Sequence, residues 1–170
     1  MTDKNFKKAS KSLGPKRLAP VLPITLLIMG CGLQVRDHIN LSTTYMEKGE
    51  VDEAIEELNK ALGIAPKSAH IHILLGHAYD KKGLTDEAIE EYKKALEYSP
   101  GSASAHASLG LAYSRKGMLD EAISEYRKVL NSYPRLAEPH YLIGMAYGEK
   151  GILVEAIIEL RVAVELDPQY

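Results

Sequence analysis

Residues 69–102 read Ala69-His-Ile-His-Ile-Leu-Leu-Gly-His-Ala-Tyr-Asp-Lys-Lys-Gly-Leu-Thr-Asp-Glu-Ala-Ile-Glu-Glu-Tyr-Lys-Lys-Ala-Leu-Glu-Tyr-Ser-Pro-Gly-Ser102. From Ala69 to Lys82, apolar residues at Ile73, Leu75, Ala78 and Tyr79 recur at helical spacing, with Leu74 broadening the stripe. Lys81 and Lys82 then precede Gly83, cations in a last turn followed by the residue that best leaves a helix. A second helix is expected from Leu84 to Tyr98, with Ala88, Ile89, Tyr92, Ala95 and Leu96 on one face. Pro100 ends it, because proline has no N–H to continue the ladder. Ser68 and Ser102 stand where a hydroxyl can cap the next helix.

The same 34 residues recur along the chain. His38, His72, His106 and His140 are 34 apart. So are Tyr45, Tyr79, Tyr113 and Tyr147, and likewise Gly49, Gly83, Gly117 and Gly151. Ala54, Ala88, Ala122 and Ala156 share the period with Pro66, Pro100, Pro134 and Pro168. The units are 35–68, 69–102, 103–136 and 137–170. One helix pair cannot bury its own apolar face, so units of this kind stack. The fold class is therefore all-α, an α-solenoid of four helix-turn-helix repeats, its concave side lined by the first helices.

The second unit presents His72, Leu75-Gly76, Tyr79, Ala88, Tyr92, Ala95 and Pro100 at positions 4, 7–8, 11, 20, 24, 27 and 32. This pattern resembles the tetratricopeptide repeat, whose signature has Trp, Leu-Gly, Tyr, Ala, Phe, Ala and Pro at those places. Histidine stands for Trp throughout, and Ser42 replaces Gly in the first unit. The resemblance covers residues 35–170 and implies a non-catalytic module that binds a peptide or helix in its groove. Mapping the family's groove positions onto this chain singles out Ile39, Ile73, His77, Leu111, Arg115, Tyr141 and Met145 as the partner-binding surface. Some family members clamp a C-terminal carboxylate of heat-shock chaperones. The side chains of that clamp are missing here, so that role is not expected.

Residues 1–17 hold six Lys or Arg against Asp3 alone, and no charge occurs from Leu18 to Val35. A basic head before a short apolar run reads as a signal peptide or anchor over residues 1–30. Ile28-Met29-Gly30-Cys31 resembles the lipobox of bacterial lipoproteins. That resemblance implies lipidation at Cys31, with the repeats facing the periplasm, and Gly32 after it implies the outer membrane over the inner. An uncleaved inner-membrane adaptor is the alternative, since the apolar run is near the lower limit for a span. Small lipoproteins of this build resemble the pilotins of type IV pili and other envelope-assembly factors.

The whole chain has 170 residues, 45% apolar and 26% charged, with a formal charge of −2. One cysteine excludes an internal disulfide framework, and near-neutral charge gives no reason to expect nucleic acid. No phosphate loop, nucleophile elbow or Cys/His pair is present, so neither an enzyme nor a cofactor is expected. The histidine ladder invites a metal reading, but neighbouring repeats lie about 8–10 Å apart, far beyond the roughly 2.0–2.1 Å that zinc needs. A packing role is expected instead. The Asp-Glu-Ala triplets at 52, 86 and 120 read as solvated helix starts.

The last unit breaks the polar pattern. Outer positions 18, 22 and 26 read Asp52, Glu56, Lys60, then Asp86, Glu90, Lys94, then Asp120, Ser124, Lys128. In the fourth unit they become Val154, Ile158 and Val162, an apolar stripe expected to form an interface, possible as a homodimer.

Overall fold

A computed structural model describes the backbone of residues 24–169 and the side chains of residues 34–169. Eight helices occur among the described residues. They are α1 (Ile24–Lys48), α2 (Val51–Ile64), α3 (Ala69–Lys82), α4 (Thr85–Tyr98), α5 (Ala103–Arg115), α6 (Leu119–Ser132), α7 (Ala137–Glu149) and α8 (Leu153–Leu166). Each helix packs on the next in chain order, and α3 also touches α5. The result is an antiparallel helix stack with the odd-numbered helices side by side along one wall.

Local chemistry sets the boundaries. Ser68 and Ser102 accept hydrogen bonds from the backbone N–H of Ile71 and Ala105, at 3.4 and 3.2 Å. Gly83 leaves α3 with φ of +82°, a left-handed conformation that a side chain would resist. The fourth second helix begins with Leu84's equivalent outside it: Ile152 caps α8, as Leu84 caps α4. The sequence expectation that Leu84 opens α4 is thus corrected by one residue. Asp86 and Glu87 remain in the first turn, favourable with the helix dipole.

Packing repeats with the sequence. Tyr92 and Tyr126 are fully buried and lie against Gly76 and Gly110 of the preceding helix. A Cβ on Gly110 would fall 2.5 Å from a ring carbon of Tyr126. In the first unit Ser42 is tolerated at that position because Leu58, not Tyr, occupies the facing one. Between units, Ile89 and Tyr92 of α4 form one apolar cluster with Ala105, Leu109 and Ala112 of α5. Ile123 and Tyr126 of α6 do the same with Ile143 and Ala146 of α7.

Polar contacts also run at the repeat period. Lys82 pairs with Asp52 at 2.6 Å, and Lys116 with Asp86 and Lys150 with Asp120 make the same bridge one and two units on. The acidic helix starts therefore do more than face solvent. Each ties its unit to the next, although the aspartates are well exposed and water screens such bridges strongly.

Candidate concave binding groove

The histidine ladder is a ladder of histidine–glutamate hydrogen bonds. Nδ1 of His38, His72, His106 and His140 lies 2.6, 2.6, 2.7 and 2.7 Å from a carboxylate oxygen of Glu57, Glu91, Glu125 and Glu159. Each pair joins the two helices of one unit. On its other side, Nε2 of His106 reaches the carbonyl of Pro100 in the preceding unit at 2.9 Å, and His72 reaches that of Pro66 at 3.4 Å. Lys60, Lys94 and Lys128 satisfy the second oxygen of the first three glutamates. Lys60, and after it His38, hold the Glu57 carboxyl below its ordinary range. The glutamates were visible in the sequence, since each follows its histidine by 19 residues at every repeat. Among the described residues, no three His, Cys, Asp or Glu side chains gather where they could share a metal ion.

On the odd-helix wall, α3 and α5 enclose a cleft of about 300 Å³ lined by His77, Asp80, Lys81, Tyr92, Ser108, Leu111 and Arg115. Three of the expected groove residues, His77, Leu111 and Arg115, meet here. His77 Nε2 is 2.9 Å from the Ser108 hydroxyl, and its ring stands edge-on to Tyr92. Burial pushes the His77 pKa down. The Asp80 charge opposes that shift, while the Arg115 and His70 charges add to it. Asp80 anchors the floor: its Oδ2 accepts from the Tyr92 hydroxyl at 3.1 Å and from Arg115 at 2.8 Å. Burial, then the Asp80 charge, pushes the Tyr92 phenol well above the ordinary tyrosine range. Arg115 is 57% exposed, so it lines the cleft while keeping much of its side chain open to solvent.

The remaining expected residues are placed differently. Ile73 is buried in the apolar cluster of α4 and α5, so it is packing and not a groove contact. Ile39 is half-buried against the first apolar cluster. Tyr141 is half-buried and Met145 is 43% exposed, both on α7, outside the cleft. An apolar pocket of about 190 Å³ adjoins α5 and α7, lined among others by Ala107, Tyr126, Leu136 and Leu142. Sequence reasoning missed Tyr92 as a groove residue, because its position in the repeat is a packing position. Gly76 lets that ring approach α3 closely, since a Cβ there would fall 2.3 Å from a ring carbon.

The repeat signatures match family patterns over nearly all of the described solenoid. TPR repeat matches residues 44–83 and 81–117, and tetratricopeptide repeat matches 103–135 and 137–170. The chain belongs to the tetratricopeptide-repeat family. Its fold is similar to a crystal structure of MamA, at 29% identity over 85% of each chain with a TM-score of 0.75. A second MamA structure is 31% identical, covering 79% of this chain and 74% of that one, with a TM-score of 0.72. YrrB, described as a TPR protein with an unusual peptide-binding site, shares the fold at 22% identity and a TM-score of 0.72, over 86% of this chain and 81% of its own. Comparison with curated proteins returns no match.

The other two sequence expectations lie elsewhere on this repeat protein. Val154 and Ile158 are exposed on α8, and Val162 is half-buried. Cys31 falls on α1, but its side chain, and all of residues 1–23, are outside the described residues. Among the described residues, no helix is long and apolar enough to cross a membrane.

Proposed function

We propose that this repeat protein is a non-catalytic scaffold that holds a peptide or helix of an envelope protein in its concave groove, in pilus or envelope assembly. The observation that carries the reading is the cleft between α3 and α5. There an apolar side chain, Leu111, sits beside free donors of Arg115 and the polar edge of His77. That mixture suits an extended or helical segment with one apolar anchor and nearby acceptors. The described site of YrrB is a precedent in the same fold for binding peptide. Partner recovery from native envelopes on the tagged full chain tests the reading. Leu111→Ala with Tyr141→Ala should reduce recovery at least tenfold if these are anchors worth about 2 kcal/mol or more. Unchanged recovery, with helicity intact, contradicts it.

The tether in this reading is a lipid on Cys31, following the basic head and the apolar run. A single acyl chain holds a protein only marginally, so the multi-chain anchor of a lipoprotein suits a stable scaffold. Gly32 after Cys31, in place of Asp, favours the outer membrane by the sorting rule of the lipoproteins it resembles. Radioactive palmitate should label the wild-type chain and not Cys31→Ala. Label retained in that variant overturns the tether.

A further inference from the structure

Between α5 and α7 the chain departs from its own repeat at three positions, and the three departures meet in the pocket of about 190 Å³. Ile39 and Ile73 hold the fifth position of the first two units, and Ala107 holds it in the third. Ile73 is buried against α4 and α5. Its short counterpart Ala107 leaves that volume open and lines the pocket. Ser68 and Ser102 cap α3 and α5, whereas Leu136 stands in their place before α7, offers no side-chain cap and is 45% exposed. Arg36, His70 and Ser104 hold the second position of the first three units, and the acid Glu138 takes it in the fourth. Tyr126, Val129, Pro139 and Leu142 complete an apolar wall, with Ser104 and Glu138 as its polar members. Glu138 is exposed and makes no ion pair with the described residues. Arg135, the nearest cation in sequence, is also exposed and does not pair with it, and α7 itself holds no lysine or arginine.

We propose that this pocket receives one bulky apolar side chain of the bound segment, and that a lysine or arginine beside it in that segment pairs with Glu138. The inference rests on the groove reading above and names the partner's chemistry at a second contact. Volume selects the anchor. The pocket is several times the roughly 30 Å³ share of one water, and its apolar wall gains when water is displaced by an apolar group. Charge selects the neighbour. An exposed carboxylate beside an apolar pocket attracts a segment that is basic at that point and repels one that is acidic. An acyl chain would fill the pocket but leave Glu138 unmatched, and an anionic lipid would meet it with like charge. The cleft between α3 and α5 carries Lys81 and Arg115 against Asp80 alone. The wall therefore changes sign towards Glu138, which favours one direction of the bound segment.

Selection from a random peptide library displayed on phage, with the purified full chain as bait, tests the proposal. Enriched peptides should carry a bulky apolar residue with lysine or arginine adjacent to it or one residue removed. A synthetic copy of the most enriched peptide is then titrated by fluorescence anisotropy. Ala107→Ile installs the side chain that Ile73 already carries at this position. It should fill the pocket and weaken binding about tenfold or more, with helicity unchanged. Glu138→Lys should weaken binding about fivefold or more, since it sets like charges against one another. Replacing the peptide's basic residue with glutamate should restore binding to that variant, because the pair is rebuilt with its sense reversed. Binding that falls with Leu111→Ala but is unmoved by Ala107→Ile and Glu138→Lys overturns this inference and leaves the groove reading standing. Enrichment without a basic residue, or no rescue by the exchanged charges, overturns it likewise. A library that yields no enriched peptide overturns both.

Discussion

Glu125→Ala is expected to lower folding stability by about 2 kcal/mol. Glu125 is 11% exposed and His106 10% exposed. Removing Glu125 leaves the buried Nδ1 of His106 without its partner, and an unsatisfied buried polar group costs about 1–3 kcal/mol. Lys128, the second partner of Glu125, adds little, because it is 48% exposed and turns to water. Glu125→Gln keeps an acceptor for the ring and should lose less. Glu159→Ala should also lose less, since that pair is 21 and 16% exposed and has no lysine on its second oxygen. Urea unfolding followed by helicity measures the order Glu125→Ala, then Glu159→Ala and Glu125→Gln. Equal losses at 125 and 159 would mean that burial does not set the strength of these pairs. Loosely coupled repeats can unfold in stages, so the comparison rests on the midpoint of the affected units.

Gly110→Ala should cost about 1 kcal/mol although alanine is the better helix former. The intrinsic preference favours alanine by about 1 kcal/mol. Against it, the new methyl would lie 2.5 Å from a Tyr126 ring carbon, and Tyr126 is 1% exposed with no room to retreat. Overpacking of this kind costs about 1–3 kcal/mol. The first unit shows the remedy in its own sequence, with Ser42 facing Leu58. Gly110→Ala combined with Tyr126→Leu should therefore be less destabilised than the sum of the two single variants. A thermal or urea double-mutant cycle measures the coupling. Strict additivity would show that the glycine is kept for some reason other than the ring. The hydroxyl of Tyr126 itself is buried and meets no hydrogen-bond partner among the described residues. Burial pushes its pKa up to about 12.

The helical architecture was legible because every signal recurs. Gly83, Pro100, Ser68 and Ser102 each act through a local backbone rule, and a local rule can be read from one stretch of chain. The groove was legible in part. His77, Leu111 and Arg115 were placed by repeat position and do converge. Ile73 was misplaced for a physical reason: the first helix turns that side chain toward α4, and the sequence alone does not separate the groove edge of a helix from its inner edge when both carry aliphatic residues. Tyr92 was missed because its body packs while only its hydroxyl serves the groove. The glutamate partners of the histidines were present at a constant spacing of 19, but pairing across two helices becomes apparent only when the fold brings them within 2.7 Å. At α8, the apolar stripe was read from the absence of charge, and the structure adds Leu153 and Ile157 from the stacking side.

The concave wall, and not the convex one, is expected to receive the partner. Photo-crosslinking in living cells addresses it most directly, with a crosslinking amino acid placed singly at Leu111, at Arg115, and at Glu56 or Glu90 on the exposed outer side of the second helices. The expected result is one common partner band from positions 111 and 115, weakened when Tyr141→Ala is added, and no such band from 56 or 90. The same band from the outer positions with none from 111 and 115 would contradict the account.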